Sequence, residues 1–266
     1  MESLIKRITR LVIIGVGIGF VCAGSALAQA NDRLTPMQQR IQAQRQRLSS
    51  ASVEERRDAL MKLGAMNHPD AARVAMSALN DDEPVVRVTA AHAMAALPAA
   101  DASAALIALL TDKQELVRRE AVNALGARRS RTAVQPLIQL LTTDKEASVR
   151  AAAALALGKI QDVTAVVPLA NVLTGSISGK KSKTRENEFV MRSAAQALGG
   201  IRSRAGVPAL IATLSDEKNE LDVRRAAAEA LGAIGDVSAL PALRTAADSN
   251  DPYLSQAAHK ALRRLR

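Results

Sequence analysis

Val223-Arg224-Arg225-Ala226-Ala227-Ala228-Glu229-Ala230-Leu231-Gly232 decides how this chain folds, because close copies of it recur along most of the sequence. Val117-Arg118 leads to Leu125-Gly126, Val149-Arg150 to Leu157-Gly158 and Val190 to Leu198-Gly199, each Leu lying eight residues after its Val. Weaker copies run from Glu55-Arg56 to Leu63-Gly64, from Val86-Arg87 to Met94 and from Leu254 to Leu262. The seven anchors, at 63, 94, 125, 157, 198, 231 and 262, are separated by 31, 31, 32, 41, 33 and 31 residues. A helical unit repeating at such a period marks a solenoid, in which each unit buries its apolar face against its neighbours rather than in one central core.

Within the quoted stretch Val223, Ala227, Ala230 and Leu231 share one helical face, and Gly232 is the expected left-handed stop. A second helix lies between successive copies. Val134, Leu137, Ile138 and Leu141 take positions i, i+3, i+4 and i+7, and Val207, Leu210, Ile211 and Leu214 repeat the spacing. Ala72, Ala75, Met76 and Leu79 fit as well, and Leu106, Ile107 and Leu110 fit with Ser103 at the first place. Pro136, Pro168, Pro208 and Pro241 fall near the starts of these helices, where a missing N–H costs little. Each unit is therefore a pair of antiparallel helices, and strands have no place. Thr35-Pro36 reads as a helix start, and Met37, Ile41 and Leu48 give the following segment the thin apolar stripe of an end cap. Ser52-Val53-Glu54-Glu55 has the spacing of a capping box opening the first repeated helix.

Hydrophobic residues make up 48% of the chain but aromatics only 1%, so Ala and Leu must fill the interior, which suits helices packed closely side by side. Lys6, Arg7 and Arg10 precede an uncharged run over residues 11–28 that closes on Ala26-Leu27-Ala28, the pattern of an export signal cleaved after Ala28. At 18 residues the run is also long enough to serve as an uncleaved anchor. Its removal would take Cys22, the single cysteine, and with it any thiolate nucleophile or Cys-ligated metal. The net charge of +10 would fall to +8, since Lys6, Arg7 and Arg10 leave with Glu2, a balance that favours acidic partners. The organisation is thus a signal at 1–28, a lead and capping helix at 29–50 and a repeat array at 51–266 interrupted by a basic insertion at 175–188.

The repeated pattern, an Asp ahead of Val-Arg, then two Ala, Leu-Gly and a Pro-Leu-bearing second helix, resembles HEAT repeats of the short type found in phycobilisome lyase subunits. The match spans about residues 51–266, with Glu55 and Leu254 for Val, Met94-Ala95 for Leu-Gly and one long step as departures. It implies an all-α fold, a right-handed α-solenoid of about seven helical hairpins. Such repeats serve scaffolds, regulatory subunits and a few enzymes, so the resemblance does not by itself assign an activity.

Arg87, Arg118, Arg150 and Arg224 sit beside the buried Val, with Asp112, Asp144 and Asp216 preceding three of them, which predicts an Asp–Arg ladder joining neighbouring turns. Positions two and six after each Val face away from the core and form a surface column that includes Arg119 and Asn123, Ala151 and Leu155, Arg192 and Gln196, and Arg225 and Glu229. Mixed arginines and amides around an apolar step fit a protein-binding surface better than a phosphate track. The insertion adds Lys180, Lys181, Lys183 and Arg185, a basic finger for an acidic partner or a solvated loop.

Enzymatic roles lack their residues. HEAT-like deoxyhypusine hydroxylases carry His-Glu pairs as di-iron ligands, whereas here His68 precedes Pro69, His92 precedes Ala93 and His259 precedes Lys260. With Phe189 and Tyr253 as the aromatics beyond the leader, no platform for stacking nucleobases is expected. The sequence therefore points to a non-catalytic, exported scaffold that needs no metal or cofactor and grips an acidic protein partner, not nucleic acid. The alternatives are an accessory subunit of an envelope enzyme or chromophore lyase, and a binder of anionic lipid or polysaccharide.

Overall fold

The computed structural model describes residues 34–175 and 186–265, so the leader and the cations Lys180, Lys181, Lys183 and Arg185 lie outside the described residues. Among the described residues there are fourteen α-helices and no strand. α1 (Pro36–Arg47) opens the array on Thr35, whose hydroxyl accepts from the Gln38 amide while the Gln38 side chain accepts from the Thr35 amide. Ile41 is buried and Met37 and Leu48 are half-buried against the first hairpin, as an end cap requires.

The hairpins follow in order. α2 (Val53–Ala65) pairs with α3 (Pro69–Ala75), α4 (Pro84–Ala93) with α5 (Ala99–Ala108), and α6 (Glu115–Ala127) with α7 (Val134–Thr143). α8 (Ala147–Ile160) then pairs with α9 (Val166–Thr174), α10 (Glu188–Ile201) with α11 (Val207–Ser215), and α12 (Leu221–Ile234) with α13 (Leu240–Ala247), before α14 (Pro252–Arg264) closes the stack. The even-numbered helices from α2 to α14 carry the Val–Arg motif and form one row. The odd-numbered helices from α3 to α13 form the other. In the second row Leu137, Leu141, Leu210 and Leu214 are buried, while Ile138 and Ile211, at the i+4 place, are half-buried.

Gly232 does not end its helix. α12 runs on to Ile234, and the left-handed residue is Gly235, at φ 78°. The same seat, four residues after the anchor, is taken by Asn67, Arg129, Gln161 and Arg202, all with positive φ. The glycine after the anchor Leu has a different purpose, which is close approach. A Cβ on Gly158 would lie 2.7 Å from the Ala197 Cα, and one on Gly232 2.7 Å from the Ala261 Cα. Each such glycine faces the Ala just before the next anchor, so the even-numbered helices touch nearly backbone to backbone. The bulkier Leu and Ile of the other row hold its helices farther apart, and the stack bends with the Val–Arg row on its concave side.

The Met94-Ala95 departure has a visible effect. α4 stops at Ala93 and passes into a 3-10 turn over Met94–Ala96, so its interface with α6 is thinner than those that follow. Gly158→Ala, which must force apart two packed backbones, is expected to lower stability by about 1–3 kcal/mol. Leu157→Ala, which leaves a cavity at a fully buried site, should cost about 2–5 kcal/mol. Urea denaturation followed by circular dichroism measures both.

Candidate interaction surface

Two sets of side chains are repeated along the concave row, one buried in the turns and one exposed. The buried set is a ladder. Arg87 Nε and Nη2 donate to both oxygens of Asp112, at 2.7 and 2.9 Å, and Arg118 grips Asp144 at the same distances. The remaining guanidinium nitrogen of each turns back on its own loop, Arg87 donating to the Asp81 carbonyl at 2.6 Å and Arg118 to that of Asp112 at 2.8 Å. Each Asp also accepts from the amide two residues on, Gln114 for Asp112 and Glu146 for Asp144. One arginine thus shapes its own turn and fastens the next. The planar guanidinium makes this possible, because its donors point in two directions at once.

The ladder starts earlier and ends sooner than the sequence indicated. Arg56 and Asp81 form its first rung, at 2.7 Å, and Glu186 supplies the fourth acid, accepting from Arg150 Nη2 at 2.7 Å. Arg224 is not a rung, since its Nε donates to the Leu214 carbonyl. Buried Met191 follows Val190 at the place where the regular units carry the rung's arginine. Burial pushes the Asp81, Asp112 and Asp144 carboxyls up, but the guanidinium and amide donors around each outweigh it, and all three sit below the usual carboxylate range.

The exposed set is the column. Asn123, Leu155, Gln196 and Glu229 are exposed, and Arg119, Arg192 and Arg225 are half-buried among them. The three arginines are not free cations. Arg119 lies 3.4 Å from Glu115 and 3.9 Å from Glu120, and Arg192 lies 3.4 Å from Asp222, which also pairs with Arg225. Arg192 is stacked 5.3 Å above the Phe189 ring and Arg225 5.6 Å above Tyr253. Both rings are exposed, and they hold the position directly before the Val or Leu that starts the motif, as the exposed Leu116 does one unit earlier. Sequence reasoning missed this apolar rim, although its place in the repeat could have disclosed it.

Two hollows lie on this face. A cavity of about 320 Å³ between α10, α12 and α14 is lined by Gln196, Glu229, Lys260, Arg264 and small Ala side chains. A second, of about 210 Å³, lies between Phe189, Arg192, Leu221 and Asp222. The histidines are dispersed. His68 caps α3, His92 faces Glu120 at 3.4 Å, and His259 is exposed on α14. Among the described residues no three His, Cys, Asp or Glu side chains are grouped to hold a metal ion, and no helix is long and apolar enough to cross a membrane.

Stacked helical hairpins with a repeated buried rung and a repeated exposed column define an α-solenoid repeat protein. The family model for HEAT repeats matches residues 41–121, 103–176 and 182–263, and the chain belongs to that family. Comparison with curated proteins gives no match. Among solved structures, the complex of CpcE and CpcF of phycocyanin lyase from Nostoc is similar at 25% identity and a TM-score of 0.50, over 86% of this chain and 87% of that one. A designed armadillo repeat protein in complex with the peptide (KR)4 is similar at 21% identity and TM-score 0.50, over 84% of this chain and 98% of that one. Human deoxyhypusine hydroxylase is similar at 22% identity and TM-score 0.43, over 91% and 88%.

Because its arginine donors hold the Asp144 carboxylate, Asp144→Ala should strand the buried Arg118 and cost about 3–5 kcal/mol in denaturant melts. The depressed Asp81, Asp112 and Asp144 carboxyls contribute stability that is complete above the unfolded value of about pH 3.9. Melting temperature should therefore hold above pH 4 and fall as the pH drops through the lower folded values. Asp144→Ala should flatten that fall.

Proposed function

We propose that this HEAT-repeat chain is a non-catalytic scaffold, exported to the bacterial cell envelope, that binds another protein along the Val–Arg row. The exposed column carries this assignment. It presents polar and apolar side chains at a fixed repeat on a preformed concave face, so a partner can be gripped without ordering the surface first. The half-buried ion pairs of Arg119, Arg192 and Arg225 are weak in water, and a partner's carboxylates can replace Glu115 or Asp222 at little cost. An acidic partner would also answer the net charge of +8 left once residues 1–28, with Lys6, Arg7, Arg10 and Glu2, are removed from the +10 of the full chain. Phe189, Leu221 and Tyr253 add apolar contact at the rim, and Leu155 adds it at the centre. Export rests on the basic start and apolar run of residues 6–28.

A second assignment, as the accessory subunit of an enzyme, is favoured by the likeness to the phycocyanin lyase complex, which spans most of both chains. It would use the same face, with substrate protein as the ligand. Its mark would be an enzyme partner whose turnover depends on this chain.

A photo-crosslinking residue placed at Leu155 or Gln196 is expected to capture a discrete protein in intact cells, whereas the same residue at Val237, exposed in the turn before α13, should capture far less. Equal capture at all three places would sink the concave-face assignment. Edman sequencing of the chain recovered from cells is expected to begin at Gln29, and a chain still beginning at Met1 in a cytoplasmic fraction would sink export.

A further inference from the structure

One edge of the solenoid carries a strip of cations, and the strip is built into the turns. Every Val–Arg helix runs in the same direction, so the turns leaving these helices emerge along one edge and the turns entering them along the other. Among the described residues the entering edge exposes Asp82, Glu83, Glu217, Glu220 and Asp248 together with Lys113, Lys145 and Lys218, and Lys180, Lys181, Lys183 and Arg185 of the loop that enters α10 lie outside the described residues. The leaving edge is basic over three consecutive units. Arg129 and Arg131 follow α6, Lys159 closes α8, and Arg202 and Arg204 follow α10, all of them exposed. The acids close by are Asp162, held by its own turn through Thr164, and Asp236, 3.5 Å from Arg204. With helices about 8–10 Å apart, these cations fall along one strip of about 20 Å.

Arg129 and Arg202 occupy the left-handed seat, at φ 51° and 58°. Other turns of the same array fill it with Gly235, Asn67 or Gln161, and glycine and asparagine tolerate this conformation far better than arginine. Folding alone gives no reason to place arginine there, and strain of this kind points to a use for the side chain. Between them, Val163 and Val167 stand 66% and 65% exposed at the same edge.

We propose that this edge is a docking surface for an anionic lipid membrane, with Arg129, Arg131, Lys159, Arg202 and Arg204 against the headgroups and Val163 and Val167 entering the interface. Cations flanking projecting apolar side chains match the layered chemistry of a charged bilayer surface. The assignment is independent of which protein the concave face grips.

The test compares the full chain with two variants on vesicles of phosphatidylcholine alone or with one quarter phosphatidylglycerol. The neutral vesicles register any contribution of the apolar N-terminal run. Arg129→Gly with Lys159→Gln and Arg202→Gly should weaken binding to the anionic vesicles by about tenfold or more, leave binding to neutral vesicles unchanged, and leave the melting temperature the same or higher. Val163→Ser with Val167→Ser should weaken anionic-vesicle binding but not binding to polyglutamate. Undiminished vesicle binding by the first variant overturns the proposal. So does equal behaviour of the valine variant on both probes, which would assign the edge to an acidic polypeptide instead.

Discussion

The structure depends on how closely two helices of the Val–Arg row can approach. At Gly158 and Ala197, and again at Gly232 and Ala261, one backbone lies where the other's Cβ would be, so the contact exists only because the first position has no side chain. That approach sets the spacing of the row, and the larger Leu and Ile of the second row set a wider one. Curvature, and with it a concave face, follows from the mismatch. The scarcity of aromatic residues has the same cause, since rings would prop the helices apart.

The turns answer to that spacing. An arginine can reach both its own loop and the carboxylate of the next only if successive turns are held a fixed distance apart, and Arg56, Arg87, Arg118 and Arg150 all do so. Where the regular pattern lapses, other groups fill in. Beyond Met94-Ala95, Arg128 reaches back to the carbonyls of Ala95, Met94 and Leu97, at 3.2, 3.4 and 2.8 Å, closing a helix end that ended early. After the long step, Glu186 takes the place of Asp but receives a single guanidinium nitrogen, and Arg150 Nε is buried without an acceptor among the described residues.

The surface inherits its regularity from the core. Column residues recur because the buried positions recur, and the side chains that distinguish one unit from another sit on a frame that hardly varies. This is how a repeat array serves many partners: the frame is fixed by small buried residues, and recognition is written in the exposed ones. In this chain the writing is mixed in sign, with Arg192, Asp222, Arg225 and Tyr253 interlocked across three units.

Most of the fold was legible in the residues themselves. The period fixed the number of units, the i, i+3, i+4 spacing fixed the buried face of each helix, and the outward column followed from rotation by 100° per residue. Helix ends were misjudged where one residue type has two uses: Gly232 permits close approach, and the stop is Gly235. Partners across units were also hidden, since the arginine of one turn meets a carboxylate about 25 residues later and the sequence does not say whether it turns forward or back. Local periodicity alone determined that these are stacked helical hairpins with a repeated exposed face. Only the tertiary structure decided which charges neutralise one another, that Phe189 and Tyr253 flank the column, and that cations line the edge where the Val–Arg helices end, because those depend on distances between units that no single helix contains.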